Sequence, residues 1–196
     1  MSKGILLSGG IDSICLAYWL KPSFAFTIDY GQVPSKAEIQ TSTHVASTLG
    51  LHHEVIKVDC SSLGSGELLN KPSLSISPST EWWPYRNQLL VTLASMKGIS
   101  LGISELMVAS VKSDNFHRDG TEEFYDRING LMTFQEGSIE ISCPAISMTS
   151  VDLVRKSNVP LEILLWAHSC HTSDVPCGRC PGCLKYLLVM QELGLD

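Results

Sequence analysis

The stretch Leu6-Leu7-Ser8-Gly9-Gly10-Ile11-Asp12-Ser13-Ile14-Cys15-Leu16-Ala17 passes from a strand-like apolar run into a helix-like one through two glycines, two serines and an aspartate. Adjacent glycines let the backbone turn tightly and approach a bound group closely. A helix starting just after them aims its unpaired N–H groups and positive dipole end at the same point, which suits a phosphate. Ser8 and Ser13 add hydroxyl donors. No Gly-Lys-Ser/Thr closes the loop, so it is not a Walker A loop, and the third glycine of the dinucleotide fingerprint is missing. Asp12 lies inside this anion cradle, which makes sense if a magnesium ion bridges it to a polyphosphate. Gly9-Gly10 alone would equally suit an ordinary strand-to-helix turn with Asp12 and Ser13 in its first helical residues. The whole string from Ser8 to Ser13 is what favours phosphate.

Working outward, apolar runs at Lys3–Leu7, Phe24–Ile28, Glu54–Val58, Met107–Val111 and Ile139–Ile141 read as strands. Ile14–Leu20, Ser35–Leu49, Asn87–Leu101, Thr121–Phe134, Val151–Ser157 and Leu161–Ala167 read as helices, the second stopping at Gly50. Ser61–Thr80 is rich in Ser, Gly and Pro and reads as a mobile loop. Alternating strands and helices imply an α/β fold, a doubly wound parallel sheet covered on both faces. Ligands of such sheets bind at the carboxyl ends of the strands. Ser8-Gly9-Gly10 and Asp29-Tyr30-Gly31-Gln32 both follow strands, so one crevice should hold both.

The chain has 196 residues, 44% of them hydrophobic, which suits one compact domain with at most a small appendage. No run reaches the roughly 18 apolar residues of a membrane span, and no signal-like segment precedes the first strand, so a cytoplasmic protein is expected. The net charge of −6, with no Lys/Arg run, speaks against a long nucleic acid as partner. A small molecule or a protein fits better.

Cys170 and the string Cys177-Gly178-Arg179-Cys180-Pro181-Gly182-Cys183 crowd four of the seven cysteines into the C-terminal segment. Four thiolates close a tetrahedron around zinc and leave no vacant position, so such a zinc would be structural. A [4Fe–4S] cluster also takes four cysteines, but the ligand type favours zinc. Cys15, Cys60 and Cys143 stand alone in apolar surroundings and read as small buried hydrophobes. The expected division is an α/β domain over 1–168 with a zinc-binding segment over 169–196 packed on it.

Ser8-Gly9-Gly10-Ile11-Asp12-Ser13 resembles the pyrophosphate loop of the N-type ATP pyrophosphatases, enzymes that transfer AMP to an oxygen and release pyrophosphate. Asp29-Tyr30-Gly31-Gln32 with Glu38, Pro84-Tyr85-Arg86-Asn87 and the cysteine segment are similar, in the same order, to motifs of the 7-cyano-7-deazaguanine synthase (QueC) family. The resemblance implies an adenine nucleotide alpha hydrolase-like, HUP-type fold, with ATP, Mg2+ and Zn2+ as cofactors. It also implies adenylation of the carboxylate of 7-carboxy-7-deazaguanine, then transfer to an amine. Ser8, Gly9, Gly10, Asp12 and Ser13 would hold the pyrophosphate and its magnesium, and Asp29, Tyr30, Gly31 and Gln32 the adenosine end. Arg86 would clamp a phosphate or carboxylate with Asn87 beside it. An arginine at a helix start is electrostatically unfavourable without such an anion. A homodimer is the expected assembly.

The chain departs from the family in three places. Where the family has a Gly-Tyr-Pro-Asp-Cys-like string, this chain has Ser113 to Gly120. Asp119 best matches the family's aspartate and could accept two hydrogen bonds from a guanine-like edge, with Phe116 stacked on the ring and His117 as polar lining. Asp119-Gly120 could equally be a simple turn. A family lysine corresponds to Ser150 here, with Arg155 and Lys156 as candidate replacements. A family arginine after the knuckle corresponds to Tyr186. Three readings follow: a QueC-like enzyme ending in an amide or nitrile; a relative whose acceptor is an amine on a macromolecule such as a protein N-terminus, serving in an antiviral system; and a catalytically inactive nucleotide-binding module.

Overall fold

The computed structural model describes residues 2–195. Five strands, β1 (Ser2–Leu6), β2 (Phe24–Asp29), β3 (His52–Lys57), β4 (Ile103–Met107) and β5 (Glu140–Ser142), form one sheet in the order β3-β2-β1-β4-β5. Every pairing is parallel. The helices are α1 (Ile11–Leu20), α2 (Ser35–Leu49), α3 (Arg86–Ser100), α4 (Glu122–Phe134), α5 (Ser150–Ser157), α6 (Leu161–Leu164) and α7 (Pro181–Glu192). The doubly wound parallel α/β sheet expected from the alternation is present.

Alternate strand residues feed two cores, as the pleat requires. Ile5, Ala25 and Met107 pack with residues of α1, α2, α5 and α7 on one face. Phe26, Ile28 and Leu106 pack with Val91 and Ala94 of α3 and Tyr125 and Ile128 of α4 on the other. Close approach demands Gly4: a Cβ there would stand 2.6 Å from the Phe26 ring. Helix α2 ends at Gly50 in the left-handed region, φ 68°, as a C-cap glycine should.

Several boundaries differ from expectation. The fourth strand is Ile103–Met107, not Met107–Val111; Gly4 and Ile5 pair with Leu106 and Met107. Beyond Met107, Val108, Ala109 and Ser110 line a cavity, which accounts for the apolar run without strand pairing. Helix α1 begins at Ile11, three residues before the expected Ile14, and β3 begins at His52 rather than Glu54. Helix α7, unforeseen, starts inside the cysteine knuckle, with Cys180 as its N-cap and Cys183 in its first turn. The stretch expected as a mobile loop carries a 3-10 turn at Glu67–Leu69, and Leu68 and the following Trp83 are buried in the second core.

The strand order puts the topological switch between β1 and β4. Crossovers leave in opposite directions there, so the loops after these two strands splay apart and open a crevice at the carboxyl edge.

Candidate active site

A cavity of about 790 Å³ occupies this crevice. On one side stands the loop after β1. Gly9 has φ 81°, and a Cβ there would meet the Glu38 carbonyl oxygen at 3.1 Å. The loop braces itself: the Gly10 N–H donates to Ser8 Oγ at 3.3 Å, and Ser13 Oγ donates to the Gly10 carbonyl at 2.9 Å. Gly10 is the N-cap of α1 and brings no side chain to cap it. The first-turn N–H groups of α1 are therefore left for a ligand, the arrangement that favours an anion. Ser8, Gly10, Asp12 and Ser13 line the cavity; Gly9 shapes the loop behind them.

Of the string Asp29 to Gln32 expected at the adenosine end, Tyr30 lines the cavity, and Asp29, Gly31 and Gln32 are not among its lining residues. Gln32 accepts from the Tyr30 N–H at 2.9 Å and donates to Glu38 Oε2 at 2.7 Å, so its amide shapes the wall. Burial pushes the Glu38 carboxyl up to about 7, against the opposing pull of Gln32 and of the Arg86 charge. Arg86 opens α3 from inside the cavity rather than from the surface. Burial works against its charge, but Tyr30, Asp119 and Glu38 outweigh it and hold the guanidinium firmly protonated. Asn87 lines the cavity beside it, its Nδ2 donating to the Asp119 carbonyl at 2.8 Å.

On the far side, the turns after β4 bring Phe116, His117 and Asp119 to the cavity. Asp119 Oδ2 accepts from the Asn87 N–H at 3.4 Å. His117 Nε2 stands 3.2 Å from Glu81 Oε1, and its ring meets Phe116 edge-on at 5.1 Å. The sheet edge thus gathers the phosphate loop, Tyr30, Arg86, Asn87, Phe116 and Asp119 around one space.

Several cavity residues are not singled out by the sequence, among them Glu81, Asp114, His168, His171 and Lys185. Lys185 of α7 places its Nζ 2.8 Å from Asp12 Oδ2 and 3.1 Å from Asp114 Oδ1. Ser150, where the family lysine is expected, opens α5 on the cavity wall. The two candidate replacements do not line it: Arg155 reaches toward the Glu192 carbonyl, and Lys156 lies over the Trp19 ring. For Lys185 the sequence offered one signal, a basic residue two positions past a metal-ligand cysteine, but nothing pointing to its partner.

Asp12 fits a divalent ion. Its Oδ1 is buried without a partner, and hard oxygen donors are what magnesium takes. Burial pushes its carboxyl up, with Lys185 opposing.

The four cysteine sulfurs of Cys170, Cys177, Cys180 and Cys183 lie within 4.8 Å of one another. Two Sγ pairs, Cys177–Cys183 and Cys170–Cys180, are 3.9 Å apart. Zinc–sulfur bonds of about 2.3 Å in a tetrahedron put sulfurs about 3.8 Å apart, so the cluster fits a zinc site. Four irons with one thiolate each would hold the sulfurs further apart. Backbone N–H groups of His171, Cys180 and Cys183 point at the sulfurs, as thiolates require. Cys15 and Cys60 are buried, and burial pushes the Cys15 and Cys143 thiols up to about 12, leaving them poor nucleophiles.

No helix among the described residues is long and apolar enough to cross a membrane. The model of one protein family, described as Queuosine biosynthesis protein QueC, matches residues 4–192. A 7-cyano-7-deazaguanine synthase of Archaeoglobus fulgidus is 32% identical over 94% of this chain and 84% of its own. Those of Thermoplasma volcanium and Methanosarcina mazei are 29% and 26% identical, each over 97% of this chain and over 86% and 94% of their own. A solved NMN synthetase from Francisella tularensis is 16% identical, with a TM-score of 0.49 over all of this chain and 73% of that one.

Proposed function

Because the chain belongs to the QueC family, we propose that it is an ATP-dependent enzyme acting on a 7-deazaguanine: it adenylates the carboxylate of 7-carboxy-7-deazaguanine and passes the activated carbonyl to an amine. One observation carries this reading. The open N-terminus of α1, the unpartnered Asp12 oxygen, and the Arg86 guanidinium all face one cavity at the switch point.

A carboxylate resists nucleophiles because its own charge repels them. Its oxygen attacks the α-phosphorus of ATP, pyrophosphate leaves, and the resulting mixed anhydride has AMP as a good leaving group. An amine then attacks the carbonyl carbon, AMP leaves with the bond electrons, and the nitrogen gives up a proton. The protein's part is positioning and charge neutralisation. Ser8, Gly10, Ser13 and the first-turn N–H groups of α1 hold the polyphosphate. Magnesium, when bound, neutralises the leaving pyrophosphate and is held by Asp12. Tyr30 flanks the adenosine, and Arg86 clamps the carboxylate or α-phosphate with both arms of its fork. Asp119 accepts two donors from the guanine-like edge, and Phe116 stacks on the ring. Zinc on the four cysteines fixes the C-terminal segment and takes no part in the chemistry.

The acceptor can be ammonia, giving the amide, which a second adenylation on the amide oxygen followed by loss of AMP and two protons would turn into the nitrile, or an amine on a polypeptide. Leu184 and Leu188 favour the second, since both line the cavity wall yet are 48% and 58% exposed. A polypeptide entering there would cover them. The test is mass spectrometry of ATP, 7-carboxy-7-deazaguanine and either ammonia or a peptide amine incubated with the protein. AMP with an amide, nitrile or peptide adduct is expected. Binding of ATP with no AMP formed under any condition would leave only the inactive-module reading.

A further inference from the structure

Three side chains from distant parts of the chain meet at the phosphate loop. Asp12 comes from the first turn of α1, Asp114 from the 3-10 turn after β4 (Lys112–Phe116), and Lys185 from α7. The Lys185 ammonium stands between the two carboxylates, 2.8 Å from one and 3.1 Å from the other. Asp114 is held in this pose because its second oxygen accepts from the Val111 N–H at 3.0 Å.

The cluster offers more oxygen than one ammonium satisfies. Asp12 Oδ1 and the Ser150 Oγ are both buried with no partner at full hydrogen-bonding geometry, and the Ser150 hydroxyl, 6% exposed, stands close enough to the Asp12 carboxylate to favour its charged form. Both residues line the cavity. Two carboxylates and a hydroxyl converging on one point make a donor set for a hard divalent ion. An ammonium and such an ion cannot share that point, because both are cations at contact distance. A lysine head on a flexible four-carbon stem can move aside.

We propose that Lys185 is a stand-in cation: it holds the divalent-ion position between Asp12 and Asp114 until nucleotide binds, then turns to the polyphosphate. The proposal rests on the nucleotide reading above for its second half only. It also gives the zinc segment a task at the ATP site. Cys180 is the N-cap of α7, its sulfur accepting from the Cys183 N–H at 3.5 Å, so a metal on the knuckle fixes the point from which Lys185 reaches. The charge that the family lysine would bring from the Ser150 position comes instead from α7, which packs against α5 in the same core.

The test is Mn2+ binding to the zinc-loaded full chain, followed by electron paramagnetic resonance of free Mn2+, without nucleotide. Lys185→Met should bind Mn2+ at least tenfold more tightly than wild type, about 1.4 kcal/mol. The double variant Lys185→Met with Asp114→Asn should lose that gain. With ATP and Mg2+ present, Lys185→Met should bind nucleotide about tenfold more weakly. Zinc content and circular dichroism check the fold, and Lys185→Gln is the replacement should the methionine variant not fold. Mn2+ affinity unchanged by removing the ammonium would overturn the proposal, as would a gain that persists without Asp114. Wild type that binds no ATP, while Lys185→Met still gains Mn2+, would sink the functional reading and leave the cation position standing.

Discussion

Glu38 is pulled in opposite directions. Burial pushes its carboxyl up to about 7 from the ordinary 4.5, while the Gln32 amide and the Arg86 guanidinium pull it down. Because the folded state holds this proton more tightly than the unfolded chain, the contribution of Glu38 to stability is full below about 4.5 and is lost as pH rises through 7. Urea unfolding of wild type and Glu38→Gln across that window should show the wild type losing stability faster with pH. Parallel slopes would mean that Glu38 is already ionised. Asp119 presents a choice of another kind, since its carboxylate also accepts from the Asn87 N–H at the start of α3, where Tyr85 offers no side-chain cap. Asp119→Asn keeps an oxygen for that N–H but turns a donor toward a guanine-like edge. Losing a hydrogen bond to a charged group costs about 1.5–3 kcal/mol, so 7-carboxy-7-deazaguanine should bind roughly 10- to 100-fold more weakly, with ATP affinity and melting temperature unchanged. Calorimetric titration decides: equal affinities would reduce Asp119 to a cap.

At the scale of elements, the phosphate loop was legible because its constraints are local. Gly9 needs φ 81°, Gly10 must start a helix, and Ser13 bonds back three residues. Strand β4 was misplaced because hydropathy reports burial, not pairing. The true strand contains Ser104 and Glu105, whereas the more apolar stretch beyond it forms cavity wall. Helix α7 left signs that went unused: Pro181 at its first position and Cys180 as N-cap, a pairing favourable to helix starts. Both residues also belong to the metal motif, which masks the helix start. Lys185 was illegible for a deeper reason. Its partner Asp12 lies 173 positions away, and no local pattern encodes which helix will face which loop across a crevice.

At the scale of the whole molecule, the chain's two ends meet at the switch point between β1 and β4. The N-terminal strand supplies the phosphate loop, and the C-terminal part of the chain closes over it: the N–H of His168, just before the cysteine segment, donates to the Gly9 carbonyl at 2.9 Å, and Lys185 of the segment reaches Asp12. The segment's own footing is small. Val189 and Met190 join the first core, but Leu184, Leu187 and Leu188 remain about half exposed. Apolar burial of that extent holds a short helix weakly, and isolated helices of this length are marginal in water. A metal on the four cysteines would supply the rest, since the folding of such a knuckle and the binding of its ion are one event. Chelating the zinc should therefore release residues 169–195 while the sheet stays folded, because its two cores draw mainly on α1 to α5. Hydrogen exchange should show protection lost across the knuckle and α7 but kept in β1, β2 and β4. ATP affinity should fall in parallel, since Lys185 leaves the phosphate loop together with the helix that carries it. Elemental analysis finding no zinc, or an iron–sulfur absorption band in anaerobically prepared protein, would refute the premise. Loss of protection throughout the sheet would show instead that the segment and the α/β body fold as a single unit.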